Sequence, residues 1–221
     1  MITQSTTVKA RAFRKGVSEV PPTLSGTYCT VVARAIFTKQ QPHKASKQSE
    51  HLAQGIDFDY YEGPWQDLML RLKDLTPTKH GNVPSLLDVT AREPNRYFAF
   101  RYNGWFEAPE DGVYTFHAPD PMYSGDQPHR EAGYDLRIAV DSVEWYPTTR
   151  QHAFDTWSIA LKKGLHPIEV AYADFRAGKE DMYFPNQAYD AVWQGEKPDL
   201  LISGPGMNRQ SIPQQFLWRR K

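Results

Sequence analysis

The sequence predicts an all-β chain whose main body is an antiparallel β-sandwich or barrel. Short runs in which apolar and polar residues alternate recur along the chain, and Gly, Pro and Asp divide them, as in all-β folds. Aromatic residues, which favour strands, make up 13% of the 221 residues. No strand–helix–strand repetition and no heptad run is present, which argues against α/β and coiled-coil architectures.

The charge balance narrows the range of partners. The chain has 26 Lys and Arg residues and 26 Asp and Glu residues, so its formal net charge is zero. A general nucleic-acid binder or a polybasic membrane-surface protein would show a basic excess. No apolar run approaches the roughly 18 residues that a membrane-spanning helix needs. We therefore expect no nucleic-acid partner and no membrane span.

Cysteine and histidine usage gives no sign of a zinc site. Cys29 is the single cysteine, so no intrachain disulfide can form and the cysteine-rich zinc folds are excluded. We interpret it as a small buried residue. The seven histidines show neither His-x-His nor His-Glu-x-x-His spacing, and His166, before a proline at a strand start, is interpreted as structural.

Two β runs precede the main body. Residues 7–14 alternate at period two, and residues 26–32 form a second β-rich run after a Pro-Pro break. Two strands do not make a stable domain, so residues 1–33 are expected to be the end of a larger domain. Residues 34–54 are polar and are predicted to be a linker.

The main body begins at residue 55 and reads as a series of short strands. Asp111 with Gly112 and Lys163 with Gly164 are predicted to make tight hairpins. Trp105 and Phe106 are expected to cap the core at the end of a strand. Residues 204–206 are expected to form a turn that brings a closing strand past the edge of the sheet. The best helix candidate is the short segment 66–72. The predicted strands are residues 56–61, 97–102, 105–109, 113–116, 136–141, 157–161, 166–172 and 200–202.

The N-terminal segment resembles a piece of a known domain. Its motifs are Thr7-Val8-Lys9-Ala10-Arg11-Ala12, Gly16, Ser18-Glu19 and the closing Tyr28. They are similar to the C-terminal strands of the immunoglobulin-like domain that follows the catalytic part of chitobiases and related β-hexosaminidases. The resemblance implies that residues 1–33 are the tail of a truncated immunoglobulin-like domain. A signal peptide is then expected in missing upstream sequence.

The main body resembles the protective-antigen-type β-sandwich over about residues 55–218, and the matching pieces occur in that family's order. This resemblance implies a carbohydrate-binding domain over residues 55–221. The matching pieces are Gly55 with Asp59-Tyr60-Tyr61-Glu62-Gly63-Pro64-Trp65, residues 98–106, Ala108-Pro109-Glu110-Asp111-Gly112-Val113-Tyr114-Thr115-Phe116, Arg137-Ile138-Ala139-Val140-Asp141, residues 161–170 and residues 204–213.

The expected ligand site is the loop after the third of these pieces. In sugar-binding members two adjacent aspartates follow this strand and hold a calcium ion that binds sugar hydroxyls. Here residues 117–135 form a longer loop without an adjacent Asp pair. Its acidic side chains offer calcium ligands, with turn formation as the favoured alternative, and its other polar groups offer direct stacking and hydrogen bonds to a sugar. The metal candidates are Asp120 and Asp135, and the other ligand-binding candidates from the loop are Tyr123, Asp126 and Arg130.

Further candidates lie at the end of the loop and after it. Arg137 and Asp141 share one face of a predicted strand, and we favour a cross-strand ion pair over a ligand contact. Trp145 is either a stacking platform for a sugar or a core residue, with equal support. Tyr134 is a weaker stacking candidate.

The predicted function is glycan capture by a non-catalytic module. Its expected context is the C-terminal part of an exported bacterial glycoside hydrolase or related enzyme, outside the cell or in its envelope or periplasm. Its partners are then an oligosaccharide and the catalytic domain of the parent polypeptide. No nucleophile elbow, phosphate loop or dinucleotide motif is present. The alternatives are a structural or protein-interaction sandwich without a sugar site, and an enzyme with two carboxylates at glycosidase separation.

Overall fold

A computed structural model of the protein describes residues 6–10, 33–37, 40–47, 51–63, 72–93, 97–118, 134–145, 156–174 and 198–221. The chain divides into two compact units, Met1–Gln41 and Pro42–Lys221. In the first unit, β1 (Thr6–Ala10) pairs antiparallel with β2 (Ala33–Phe37). The predicted run 26–32 and Cys29 lie outside the described residues. Strand β2 begins at the last residue of the predicted domain tail and extends into the segment expected to be a linker.

The second unit is an all-β sandwich of two antiparallel sheets. The order of the small sheet is β10-β7-β12-β13, and that of the large, eight-stranded sheet is β3-β14-β6-β11-β8-β9, with β4 paired to β5 and β6. The strands are β3 (Leu52–Gln54), β4 (Ile56–Glu62), β5 (Lys79–Val83), β6 (Phe98–Ala108), β7 (Gly112–His117), β8 (Tyr134–Val140), β9 (Val143–Trp145), β10 (Thr156–Leu161), β11 (Gly164–Asp174), β12 (Leu201–Gly204), β13 (Met207–Ser211) and β14 (Leu217–Arg220).

The helical content of the described residues is small. Leu72–Asp74 and Gln214–Phe216 form short 3-10 helices. The predicted helix 66–72 therefore overlaps the first of these only at Leu72, and residues 66–71 lie outside the described residues. None of the helices in the described part of the chain has the length and apolar composition that crossing a bilayer requires.

Strand β6 organises the large sheet. One edge of β6 pairs with β11 along its whole length. The other edge pairs with β4 as far as Asn103 and with β14 from Trp105 onward. The sequence predicted two strands here, divided at Gly104. The structure has one strand whose neighbour changes at that glycine.

The core lies between the inner faces of the two sheets. Alternate residues of β6 point into it, and the Phe106 ring contacts Tyr114 and Phe116 of the small sheet at 5.5 and 6.1 Å between ring centroids. Each of these three side chains is fully buried. Full burial of such a side chain contributes about 1.5–3 kcal/mol. Aromatic residues of the described strands therefore fill much of this core.

The two predicted hairpins are wrong. The turn at Asp111 joins β6 to β7, and the turn at Lys163 joins β10 to β11, so both connect one sheet to the other. Each strand finds its partners elsewhere, because β6 pairs with β11 and β7 with β10. The Asp111 carboxylate joins these two corners by accepting hydrogen bonds from Lys162 Nζ and the Lys163 amide, both at 2.7 Å.

Part of the predicted linker is bonded to the sandwich. The His43 amide donates to the Ala160 carbonyl, the Lys162 amide donates to the His43 carbonyl, and the Ser46 amide donates to the Leu165 carbonyl, at 2.7–2.9 Å. Residues 43–46 therefore run along the corner between β10 and β11. Residues 43–46 and strand β3 of the segment 34–54 are therefore both bonded to the second unit.

His166 is a buried structural residue, as the sequence predicted. Its side chain is fully buried, with Nδ1 2.7 Å from Asp141 Oδ2 and Nε2 2.7 Å from the Lys162 carbonyl oxygen. A carbonyl oxygen only accepts, so Nε2 carries a proton. The imidazole thereby connects the β8–β9 turn, where Asp141 has φ of +49°, to the β10–β11 corner.

Candidate functional site

The outer face of the large sheet is covered at one end. A small apolar cluster there is separate from the main core, and the short helix at Leu72 packs over it. The sheet contributes three alanines whose small side chains let that segment approach closely. The members of this cluster are Tyr61, Leu72, Ala99, Ala171 and Ala173.

The other end of the outer face opens into a groove at the point where the neighbour of β6 changes. Asn103 pairs with Asp57 of β4, whereas Trp105 pairs with Trp218 of β14. Between them, a Cβ atom on Gly104 would lie 2.4 Å from the Trp218 carbonyl oxygen, so glycine permits the close approach of β14. The sheet is therefore interrupted at one place on its surface.

We call this cavity the outer-face groove. Its volume is about 600 Å³, which is within the range of small-molecule sites. It combines apolar surface with charged and amide side chains. Its lining residues are Asp57, Lys73, Asn103, Gly104, Trp105, Ala139, Ser142, Glu144, Pro167, Ile168, Glu169 and Arg220.

Trp105 is the aromatic residue of the groove. Its side chain is half-buried, and the Arg220 guanidinium carbon lies 5.6 Å from its ring centroid, a cation–π contact. The neighbouring Trp218 donates from Nε1 to the Glu107 carboxylate at 2.8 Å. Two tryptophans thus lie side by side on the outer face, and hydrogen bonding fixes one of them.

A belt of ion pairs crosses the middle of the outer face. Arg137, whose side chain is 11% exposed, bonds to Glu169 and lies 3.8 Å from Glu144. Arg101 donates to Asp59 at 2.8 Å. Burial lowers the pKa of Arg101, but the hydrogen bond to Asp59 and the nearby acidic groups outweigh burial and raise the pKa above its ordinary value. The belt holds the Glu144 and Glu169 carboxylates at the wall of the groove.

Asp57 is a weaker acid than an ordinary aspartate. Partial burial raises its pKa, Arg219 offsets part of that rise, and the charge of Asp59 adds to it. Arg219 Nη1 lies 3.9 Å from Asp57 Oδ1. The groove therefore presents a partly desolvated carboxyl group opposite the amide of Asn103.

Of the loop residues predicted to bind ligand, four lie outside the described residues: Asp120, Tyr123, Asp126 and Arg130. Asp135 lies half-buried on β8, opposite Ala173 of β11. No group of three or more His, Cys, Asp or Glu side chains among the described residues is arranged to hold a metal ion. A calcium site at Asp120 and Asp135 stays a prediction.

The structure gives the remaining candidates different positions. Arg137 forms a cross-strand ion pair with Glu169, the alternative that the sequence favoured. Asp141 was expected on the same strand, but it lies in the following turn and bonds to His166. Trp145 stacks on Trp157 at 6.1 Å and packs against the main core, which is the core alternative that the sequence left open.

The sequence interpretation missed the groove residues Asn103, Trp105 and Arg220. Trp105 was expected to cap the core, but the alternation of β6 continues through Gly104, which sends Phe106 inward and Trp105 outward. This alternation was visible in the sequence. The contribution of Arg220 was not, because it depends on β14 pairing with β6.

Comparison with known proteins identifies the fold and no family. No family model matches the chain, and no curated protein matches it. A subtype-switched epithelial adhesin 9 A domain from Candida glabrata, in complex with β-lactose, is 13% identical with a TM-score of 0.51, covering 82% of this chain and 94% of that one. The PA14 domain of the MpAFP antifreeze protein is 11% identical with a TM-score of 0.45, covering 79% and 95%.

A third similar structure is an anti-sigma factor domain-containing protein from Clostridium clariflavum. It is 16% identical with a TM-score of 0.45, covering 85% of this chain. The chain spans 57% of the length of that protein and 60% of a second anti-sigma factor domain-containing protein. At 13% identity, the similarity to the adhesin domain shows the β-sandwich fold alone.

Proposed function

We propose that this chain is a non-catalytic glycan-binding module and that the outer-face groove is a binding surface for a saccharide. The observation that carries the proposal is the convergence of an indole, an amide and three carboxylates around one cavity of about 600 Å³. A sugar ring offers apolar C–H groups on its faces and hydroxyl groups at its edge. The groove offers a counterpart to both kinds of surface.

The chemistry of capture divides among the lining residues. Trp105 supplies apolar surface for the C–H groups of a sugar, and the Asn103 amide both donates to and accepts from hydroxyls. The Glu169 carboxylate accepts hydroxyl protons, and its ion pair with Arg137 fixes its position before ligand arrives. Fixed polar groups reduce the entropic cost of binding.

The fold is compatible with this function. The adhesin 9 domain of similar fold was solved in complex with β-lactose, which supports a glycan ligand by analogy of fold. The ordered resemblance to protective-antigen-type domains favours the same class of ligand.

We further propose that the loop 117–135 forms a saccharide contact of its own through Asp120, Tyr123, Asp126 and Arg130. Calcium dependence belongs to this part of the proposal, because the hard oxygen ligands are in this loop. Titrating glycan with and without EDTA tests it. A chelator-sensitive affinity supports a calcium-bearing loop, and an unchanged affinity rejects calcium.

The proposed context is an accessory module of an exported glycan-degrading enzyme. A module that holds a polymer keeps a tethered catalytic domain at high effective concentration near its substrate. Weak binding by a single module is sufficient for this purpose. Fusion of residues 42–221 to a polysaccharide hydrolase should raise activity on insoluble polymer more than on short oligosaccharides, and an equal effect on both would contradict tethering.

The groove is tested with Trp105→Ala and the matched surface variant Val113→Ala. Val113 is 51% exposed on the small sheet, away from the groove. A glycan array should first identify a ligand, and isothermal titration should then show that Trp105→Ala weakens binding about tenfold, or about 1.4 kcal/mol. Val113→Ala should bind as the natural protein does, and circular dichroism should show both variants folded.

The outcomes separate the alternatives. Unchanged binding by Trp105→Ala would indicate that the saccharide does not bind in the groove and would favour the loop 117–135 as its site. No binding of any glycan by a folded sample would reject the glycan-binding function and favour a structural or protein-interaction sandwich.

A further inference from the structure

The charges of the outer-face groove are unequally paired. Its acidic residues have cationic neighbours. Arg137 forms ion pairs with Glu144 and Glu169, and Arg219 Nη1 lies 3.9 Å from Asp57 Oδ1. The two basic lining residues differ. No carboxylate among the described residues lies within ion-pair distance of Lys73 or Arg220, and both side chains are exposed. The unpaired charge at the groove is therefore positive.

The contact with Trp105 keeps the Arg220 side chain at the groove, where its guanidinium can bind an anionic ligand. The guanidinium lies 5.6 Å from the indole centroid. A cation–π contact uses the charge of a guanidinium and leaves N–H groups for other partners. A guanidinium can donate two parallel hydrogen bonds to a carboxylate or a similar oxyanion, with charge assistance. Trp105 thus holds an anion-binding group at the groove.

The paired carboxylates on the same surface give little attraction to cationic ligands. Arg137 already neutralises much of the charge of Glu144 and Glu169. A cationic sugar is therefore attracted to these two carboxylates less than it would be to unpaired ones, because the charge of Arg137 repels it. Their oxygens still accept hydroxyl protons from a sugar.

We propose that the outer-face groove selects acidic saccharides, with a carboxylate or sulfate group of the ligand bound to the N–H edge of Arg220 and assisted by the charge of Lys73. This inference rests on the proposed glycan-binding function and names the class of glycan. Hydroxyl groups of the same ligand bind Asn103 and the fixed carboxylates. The acidic group gives the specificity, because neutral sugars leave both cations unpaired.

The main comparison is between two ligands that differ in charge and little else, and a third ligand carries a different anion. The probes are a tetramer of α-1,4-linked galacturonate, its fully methyl-esterified form and a sulfated maltotetraose, each titrated calorimetrically into residues 1–221. We expect the acidic galacturonate to bind about tenfold more tightly than its ester, and rising salt to reduce that difference. The sulfated probe distinguishes selection for a carboxylate from selection for any oxyanion.

Two groove variants and one control variant locate the effect. Arg220→Gln should bring the affinity for the galacturonate tetramer to within about twofold of that for its ester, since the charge-assisted hydrogen bonds are lost. Lys221→Gln removes the same charge from the next exposed residue, outside the groove, and should change the affinity less than about twofold. Lys73→Gln should have an intermediate effect.

The results distinguish failure of selection for acidic glycans from failure of the glycan-binding function on which it rests. Equal or tighter binding of the ester, or an equal loss in the Arg220 and Lys221 variants, would overturn selection for acidic glycans while leaving the glycan-binding function intact. Failure of every glycan on an array, neutral and acidic, would overturn both.

Discussion

The inner and outer faces of the large sheet are built from the same strands and have different chemistry. Along β6, Phe98, Phe100 and Phe106 face inward and are fully buried. Between them, Arg101 and Trp105 face outward and remain partly exposed. Because side chains alternate along a strand, one segment supplies both the core and the recognition surface. Stability and binding can therefore be separated residue by residue.

The two faces also differ in what holds their residues in place. Inner side chains are held by ring contacts, such as Phe58 with Phe100 at 5.5 Å and Phe98 with Phe100 at 5.7 Å. Outer side chains are held by ion pairs, such as that of Arg101 with Asp59. Loss of packing costs more free energy than loss of an exposed ion pair. Substitutions on the two faces should therefore differ in both size and kind of effect.

The largest effect is expected at the centre of the inner face. Phe106→Ala should lower the free energy of unfolding by about 3–5 kcal/mol, because it empties a site between Tyr114, Phe116 and Phe216. Urea unfolding followed by tryptophan fluorescence measures this. Phe106→Leu is the control and should lose less than half as much. A loss below about 1 kcal/mol for alanine would show that the inner face does not carry the stability.

At Gly104 we expect a smaller effect on stability, together with an effect on glycan affinity. Alanine there would place a Cβ atom 2.4 Å from the Trp218 carbonyl oxygen, so β14 must shift. We expect a loss of about 1–3 kcal/mol in the free energy of unfolding, as for an overpacked site, together with weaker glycan binding. Denaturant unfolding and titration of the same sample measure the two losses. Full stability with unchanged affinity would show that the change of strand neighbour does not shape the groove.

The smallest effect is expected at the exposed corner where Asp111 meets Lys162. The hydrogen bond from Lys162, then that from the Lys163 amide, lowers the pKa of Asp111. Because the pKa is lowered, the contact stabilises the fold at pH values above the ordinary aspartate pKa, near 4. This stabilisation is lost as the pH falls through the lowered pKa of the folded state. In Lys162→Gln, NMR titration should show the pKa of Asp111 moving upward, and an unmoved titration would contradict the contact.

The strands that the sequence predicted well are those with an inner face to fill. In Ile56–Tyr60 of β4 and throughout β8, buried apolar residues alternate with partly exposed, mostly polar ones, so the period was visible. Strand β5, with the sequence Lys-His-Gly-Asn-Val, has little apolar content and was missed. It exists because β4 offers it a partner over five residue pairs. Pairing of this kind is not encoded in the strand itself.

The candidate site was less predictable than the fold, for the same reason. Arg137 was selected from its own strand and does adjoin the groove through Glu144 and Glu169. The groove itself arises because two strands distant in sequence flank β6 on either side of Gly104. No local pattern reports such a meeting. A sequence shows which side chains face outward, and only the topology shows which of them lie next to one another.

The bonded segment 43–46 has a practical consequence for dissecting this protein. Its three backbone hydrogen bonds to Ala160, Lys162 and Leu165 belong to the second unit, which begins at Pro42. An expression boundary placed at residue 55, where the apolar alternation begins, would strip this segment from the β10–β11 corner and remove β3 from the sheet edge. A truncation that begins at residue 42 keeps both, and is the shorter form to carry into crystallisation or fusion to other proteins.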